Sequence, residues 1–323
     1  EDFLPQNIFV SLRKPSKMLS LMCALVSQLA VLPYTTPKYA VEVERDVVYA
    51  QAEGYWTHAP VGEKGTVRRL LPELRRTRTL DLDLDIYQPA ADSSASRPLL
   101  LMMHGGSFFI GHKEEKGQTG WCEYFASLGY VAVSINYRLG FLPNKQDVTA
   151  SEIRALEDAD AAMDYLLARE DLRIDRGHLF AAGTSAGAMT ALRLAFRPEK
   201  DRPRFCAIAN LWGSVHDLAV LELGDAAILS FQSEDDPVMP YGRGYPFKTS
   251  KGGIQPPSQW FSEEMYGTWA VHERALELGL RAEHHPCAEA RHRLHIGDDG
   301  EFTPRFAEIR DRMTAFFAES FRE

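Results

Sequence analysis

The sequence predicts an α/β fold, with a mostly parallel central sheet covered by helices on both faces. Three observations carry that expectation. Short continuous apolar runs suit parallel strands buried on both faces. Segments with apolar residues at helical spacing lie between them. The two kinds alternate along the chain without an internal repeat or a Ser/Gly linker, so one domain over residues 41–323 is the simplest organisation.

In chain order, residues 1–40 read as a signal peptide or N-terminal extension. Arg13, Lys14 and Lys17 precede the apolar run Leu19 to Leu32, which is too short to span a bilayer but suits a signal-peptide core; Met18 is a candidate start. Lys38 stands where a cleavage site wants a small residue, which leaves an amphipathic helix packed on the domain as the other reading. Secretion or a periplasmic location follows from the first reading, and a cytoplasmic one is the alternative.

Leu80, Leu82, Leu84 and Ile86 alternate with Asp81, Asp83, Asp85 and Tyr87, the pattern of a strand with one buried and one solvated face. Calcium is disfavoured for this D-x-D-x-D spelling, because Ile86 occupies the position where an EF-hand loop needs glycine. The aspartates are therefore expected on an exposed strand face. Buried strands are expected at Leu99 to Met103, Tyr130 to Ile135, Leu179 to Ala182, Cys206 to Trp212 and Ala226 to Phe231, with a strand-like stretch from Arg281 to Pro286. Ser151 to Glu170 reads as a helix, with Ile153, Leu156, Ala159, Met163 and Leu166 on its apolar face and a capping box of Thr149 and Glu152. Further helices are expected at Ala186 to Phe196, at Glu264 to Leu278 closed by Gly279, and from Pro304 onward, where Thr303 caps and Phe306, Ile309, Met313, Phe316 and Phe317 share a face.

Lys and Arg number 36 against 45 Asp and Glu, a net charge of −9 in 323 residues, which argues against a nucleic-acid-binding protein. Cys23, Cys122, Cys206 and Cys287 are far apart, with neither zinc-module nor disulfide-framework spacing. If the leader is removed, the other three allow one disulfide at most.

Gly183-Thr184-Ser185-Ala186-Gly187 fits G-x-S-x-G between an expected strand and an expected helix, the context in which a sharp turn exposes a serine Oγ. Upstream, His104-Gly105-Gly106-Ser107-Phe108 follows a buried strand, and its small residues let backbone N–H groups face a cavity. A serine nucleophile needs a base and an orienting acid, in the chain order serine, acid, histidine. Glu234, Asp235 and Asp236 follow the strand ending at Phe231, and His292 and His295 follow the last strand-like stretch.

HGGSF, Asn136-Tyr137-Arg138-Leu139-Gly140 and GTSAG together resemble the α/β-hydrolase superfamily, in its carboxylesterase and hormone-sensitive-lipase-like branches, from about Leu80 onward. Ser107 stands where that family often has glycine, and Thr184 where it often has glutamate; neither change removes a backbone N–H. The resemblance implies Ser185 as nucleophile and the N–H groups of Gly106, Ser107 and Ala186 as an oxyanion hole. It selects Asp236, because Asp236 to Tyr241 matches the family's D-x-x-V-P-Y apart from Met239. It selects His292, because His292-Arg293-Leu294-His295 matches G-H-x-x-H with Arg291 in place of glycine. His284 and His285 read as structural, and His104 as a residue that holds its turn.

The expected function is hydrolysis of a small-molecule carboxylic ester through an acyl-enzyme on Ser185, with no metal or cofactor, no nucleic acid and no stable membrane span. The alternatives are an inactive binding protein of the same fold, a lipase or a peptidase. Only 13 residues, Gly213 to Asp225, separate two strands where many lipases insert a lid, which favours small soluble esters. In the Gly- and Pro-rich stretch Tyr241 to Ser262, Tyr241 and Trp260 are the expected substrate contacts. Oligomeric state is not readable from the sequence.

Overall fold

A computed structural model describes residues 32–60, 65–199, 201–247 and 258–322. The proposed leader and its alternative therefore lie largely outside the described residues, as does the middle of the stretch from Tyr241 to Ser262.

Eight strands form one sheet: β1 (Val41–Gly54), β2 (Arg78–Pro89), β3 (Arg97–Met103), β4 (Val131–Ile135), β5 (Ile174–Thr184), β6 (Ala207–Leu211), β7 (Ala227–Ser233) and β8 (Ala282–Cys287). Their order is β1-β2-β4-β3-β5-β6-β7-β8. The pairs β1–β2 and β2–β4 are antiparallel, and every later pair is parallel. The helices are α1 (Thr66–Leu70), α2 (Lys116–Leu128), α3 (Lys145–Ala168), α4 (Ala186–Ala195), α5 (Thr268–Glu277) and α6 (Pro304–Ala318).

Period-two geometry explains why Leu99 to Met103 of β3 and Leu179 to Ala182 of β5 are apolar without a break. Leu99, Leu101 and Met103 of β3, with Leu179 and Ala181 of β5, pack into one core with Ala159, Met163 and Leu166 of α3 and Leu192 of α4. The alternate residues Leu100, Met102, Phe180 and Ala182 enter a second core with Trp121 and Phe125 of α2 and Ile309, Met313 and Phe317 of α6. Each fully buried large side chain contributes about 1.5–3 kcal/mol. Both layers are therefore required, and a polar residue on either face would face an apolar helix.

Four local expectations are corrected. The long helix begins at Lys145 rather than Ser151: Asn144 is its cap, accepting from the Asp147 N–H at 3.0 Å, so Thr149 and Glu152 lie inside it. Ile153, placed on the apolar face by its spacing, is 43% exposed. The stretch from Glu264 does not start as helix. Met265–Gly267 pairs with Ser214–Val215 and Arg243–Gly244 in a small ribbon, and α5 starts only at Thr268, whose N–H and hydroxyl bind the Gln232 Oε1. Nor do the aspartates of β2 share a solvated face. Asp85 is fully buried, and Lys113 Nζ lies 2.7 Å from it and 3.3 Å from Asp83, so a buried cation takes the place of water.

Candidate active site

The parallel strands β3, β5, β7 and β8 all end on one side of the sheet, where the loops that follow them converge. After β5 the chain turns into α4 within one residue. Ser185 takes φ 52°, ψ −118° at that turn, a strained conformation for a residue with a side chain. Its N–H is bonded to the Leu211 carbonyl at 2.9 Å. The flanking glycines permit the turn: a Cβ on Gly183 would lie 2.3 Å from the backbone of Gly187, and one on Gly187 would lie 2.1 Å from the Met103 carbonyl oxygen.

Ser185 Oγ lies 2.8 Å from His292 Nε2, and His292 Nδ1 lies 2.8 Å from Asp236 Oδ2 and 3.0 Å from Oδ1. Asp236 is fully buried, which would be costly for a carboxylate without partners. It accepts from the N–H groups of Val238 at 2.8 Å and Met239 at 3.1 Å, and from Gln232 Nε2 at 3.2 Å. Glu234 and Asp235 are exposed and stand outside this array. His295 is buried, with its ring stacked on Trp121 at 5.0 Å and Trp212 at 5.3 Å, and burial lowers its pKa to about 3. It therefore packs as a neutral ring.

The loop after β3 winds in the left-handed region at Gly106, Ser107 and Phe108. Gly106 cannot be replaced without strain, since its φ is 111° and a Cβ would lie 1.9 Å from the Ile110 oxygen. The N–H groups of Gly106, Ser107 and Ala186 have no hydrogen-bond acceptor among the described residues. The NYRLG stretch braces this loop. Tyr137 Oη donates to the His104 carbonyl at 2.6 Å and its ring stacks on the imidazole, while Asn136 Oδ1 accepts from the Lys113 N–H at 2.8 Å. His104 donates from Nδ1 to the Gly105 carbonyl, and burial lowers its pKa to about 3.

Two cavities meet at Ser185, Ser107 and Phe247. One, about 280 Å³, is apolar, with Phe108, Phe141, Met189, Met239, Phe261 and Met265 on its walls. The other, about 180 Å³, contains His292, Glu115, Trp212, Arg293 and His295. Glu115 Oε1 is buried with no hydrogen-bond partner among the described residues, and desolvation raises the carboxyl pKa to about 7 against the opposing charge of Arg293. A bigger cavity of about 560 Å³, near Arg197 and Arg204, touches none of the residues above.

Neither of the two expected substrate contacts lines the cavities at Ser185. Tyr241 lines neither arm; it stacks on Trp269 at 6.1 Å and packs edge-on against His284. Trp260 is 68% exposed. Phe247 and Phe261, from the same stretch, line the cavity instead. Glu115 lies outside every quoted motif and Arg293 fills an unspecified position of one, so both could be found only from the fold.

Residues 84–202 match the family model described as BD-FAE. The putative esterase NocK of Nocardia uniformis subsp. tsuyamanensis is 28% identical over 243 residues, covering 71% of this chain and 64% of that protein. The non-reducing polyketide synthase Preu3 of Preussia isomera is 30% identical over 138 residues, or 42% of this chain and 5% of that protein. The chain thus spans less than two thirds of the length of these curated relatives. Among solved structures, Thermogutta terrifontis esterase 2 phosphorylated by paraoxon superposes with a TM-score of 0.57 at 19% identity, over 87% of this chain and 94% of that one. Esterase B from Lactobacillus rhamnosis, inhibited by a tributyrin phosphonate, gives 0.55 at 16% identity over 94% and 96%. The chain shares the α/β fold of these esterase structures.

Proposed function

We propose that the protein is a serine carboxylic-ester hydrolase that acts on small soluble esters. The observation that carries this reading is the unbroken line from Ser185 Oγ through His292 to the buried Asp236, set beside unbonded N–H groups. Ser185 attacks the ester carbonyl as His292 Nε2 takes its proton. Negative charge then develops on the carbonyl oxygen, where the N–H groups of Gly106, Ser107 and Ala186 receive it; one such donor is worth about 2.7–4 kcal/mol of transition-state stabilisation. Asp236 holds the imidazole with Nδ1–H toward itself, leaving Nε2 free to act as the base. His292 protonates the departing alkoxide and then activates water to release the acid.

The orientation of the substrate follows from the two arms. His292 must reach the leaving oxygen, and it lines the smaller arm and not the larger one, so the alcohol enters beside Glu115 and Arg293. The acyl chain enters among Phe108, Phe141 and Met189. At about 280 Å³ this arm suits short acyl groups better than long lipid tails. An inactive binding protein of this fold would have no need of so complete an array, and nothing in the cavity favours an amide over an ester.

A series of p-nitrophenyl esters from acetate to palmitate tests the reading. kcat/KM should peak among short acyl chains, with no jump in rate as the substrate passes its solubility limit. A maximum at palmitate, or activation at an oil–water interface, would contradict the small-ester assignment.

A further inference from the structure

Beyond Ile110 the oxyanion loop continues through Gly111, His112, Lys113 and Glu114. Gly111 is hydrogen-bonded in both directions to Ala59, in the segment that follows β1. That pairing sets His58 beside His112, with ring centroids 4.3 Å apart and planes inclined by 28°. Glu114 Oε2 lies 2.9 Å from His112 Nδ1 and 3.8 Å from His58 Nδ1. One ligand atom from each residue lies within 4.8 Å of the other two. None of the three residues lines the catalytic cavity or takes part in the proposed hydrolysis.

We propose that His58, His112 and Glu114 bind a divalent transition-metal cation, with Zn²⁺ as the representative, and that the ion ties the oxyanion loop to the segment after β1. Two imidazoles and one carboxylate suit zinc, nickel or copper rather than calcium or magnesium, which prefer all-oxygen shells. With bonds of about 2.0–2.1 Å, tetrahedral ligand atoms stand about 3.3 Å apart, a spacing that the two measured distances bracket. The His58 side chain is 52% exposed, which leaves it free to turn toward the other two and leaves a coordination position for water.

Charge favours the cation as well. Lys113 Nζ lies within salt-bridge distance of Asp46, Asp83, Asp85 and Glu114, and Arg45 pairs with Asp85. Four carboxylates against two cations leave a local excess of two negative charges, which a divalent ion neutralises.

Calorimetric titration of the EDTA-treated, dialysed full chain with Zn²⁺, paired with thermal melts, tests the site without substrate and so independently of hydrolysis. One equivalent should bind and raise Tm. His58→Ala, which removes a half-exposed side chain, should keep the metal-free Tm and weaken Zn²⁺ binding at least about tenfold; His112→Ala should do the same to binding. Co²⁺ in place of Zn²⁺ should give visible absorption bands of a low-symmetry N/O site in the unaltered chain and not in His58→Ala. Absence of stoichiometric binding, or binding of equal affinity in both variants, would overturn the proposal.

Discussion

At the scale of single residues, the division of labour between His292 and His295 is the sharpest consequence of the structure. Of the two, His292 alone lies within hydrogen-bond reach of both Ser185 and Asp236. His292→Ala should therefore cut kcat by roughly a thousandfold or more while leaving the melting curve near that of the parent. His295→Ala should do the reverse, lowering Tm by opening a void between Trp121 and Trp212 while sparing activity per folded molecule. Inactivation by His295→Ala with an unchanged Tm would move the base to His295. Glu115 supplies a pH-dependent prediction. Burial holds its proton up to about pH 7, whereas the unfolded chain releases it near the ordinary value of 4.5, so the folded state binds more protons between those limits. Stability owed to that proton falls as pH rises through the window. Glu115→Gln should raise Tm at pH 8 relative to the parent and change it little at pH 4; an equal effect at both values would contradict the assignment. Glu115 was invisible in the sequence, where nothing separates a carboxylate facing a cavity from one facing water.

At the scale of elements, β2 and its partners depend on a buried ion network that periodicity could not show. Alternation in Leu80 to Ile86 located the strand and its apolar face, but the opposite face reads as solvated whether water or an ammonium group meets it. Burial alone would lower the Lys113 pKa; hydrogen bonds to Asp46, Asp85 and Glu114 raise it, so the side chain stays charged while fully enclosed. Removing the charge takes from the fully buried Asp85 one of its two cations and leaves it the Arg45 guanidinium, on a side chain that is 53% exposed, and the Asp46 N–H. Lys113→Met should cost about 3–5 kcal/mol in urea unfolding, and a loss under about 1 kcal/mol would mean that water replaces the ammonium at little cost. The start of α3 was obscured for a related reason: Thr149 and Glu152 spell a capping box, yet Glu152 is buried and bound to His216 at 3.0 Å. Its presence reflects a tertiary partner 64 residues away rather than a helix end.

At the scale of the whole molecule, the layered fold was legible because its parallel strands are apolar on both faces and its helices amphipathic. The turn at Ser185 was legible because one short motif must hold two glycines and a serine. Less legible were the cavity walls, since nothing in the spacing of Tyr241, Phe247, Trp260 and Phe261 says which of them the fold brings to the cavity. The sheet edge at β1 also escaped notice, because its residues alternate only partly and most are exposed or half-buried. What unites these scales is the claim that Ser185 is an activated nucleophile. Incubation with a paraoxon-type organophosphate, followed by intact-mass and peptide mass spectrometry, tests it directly. One covalent adduct per chain on Ser185, abolished in Ser185→Ala and strongly slowed in His292→Ala, is the expected result. An unlabelled Ser185 in folded protein, or an adduct of equal rate in His292→Ala, would contradict it.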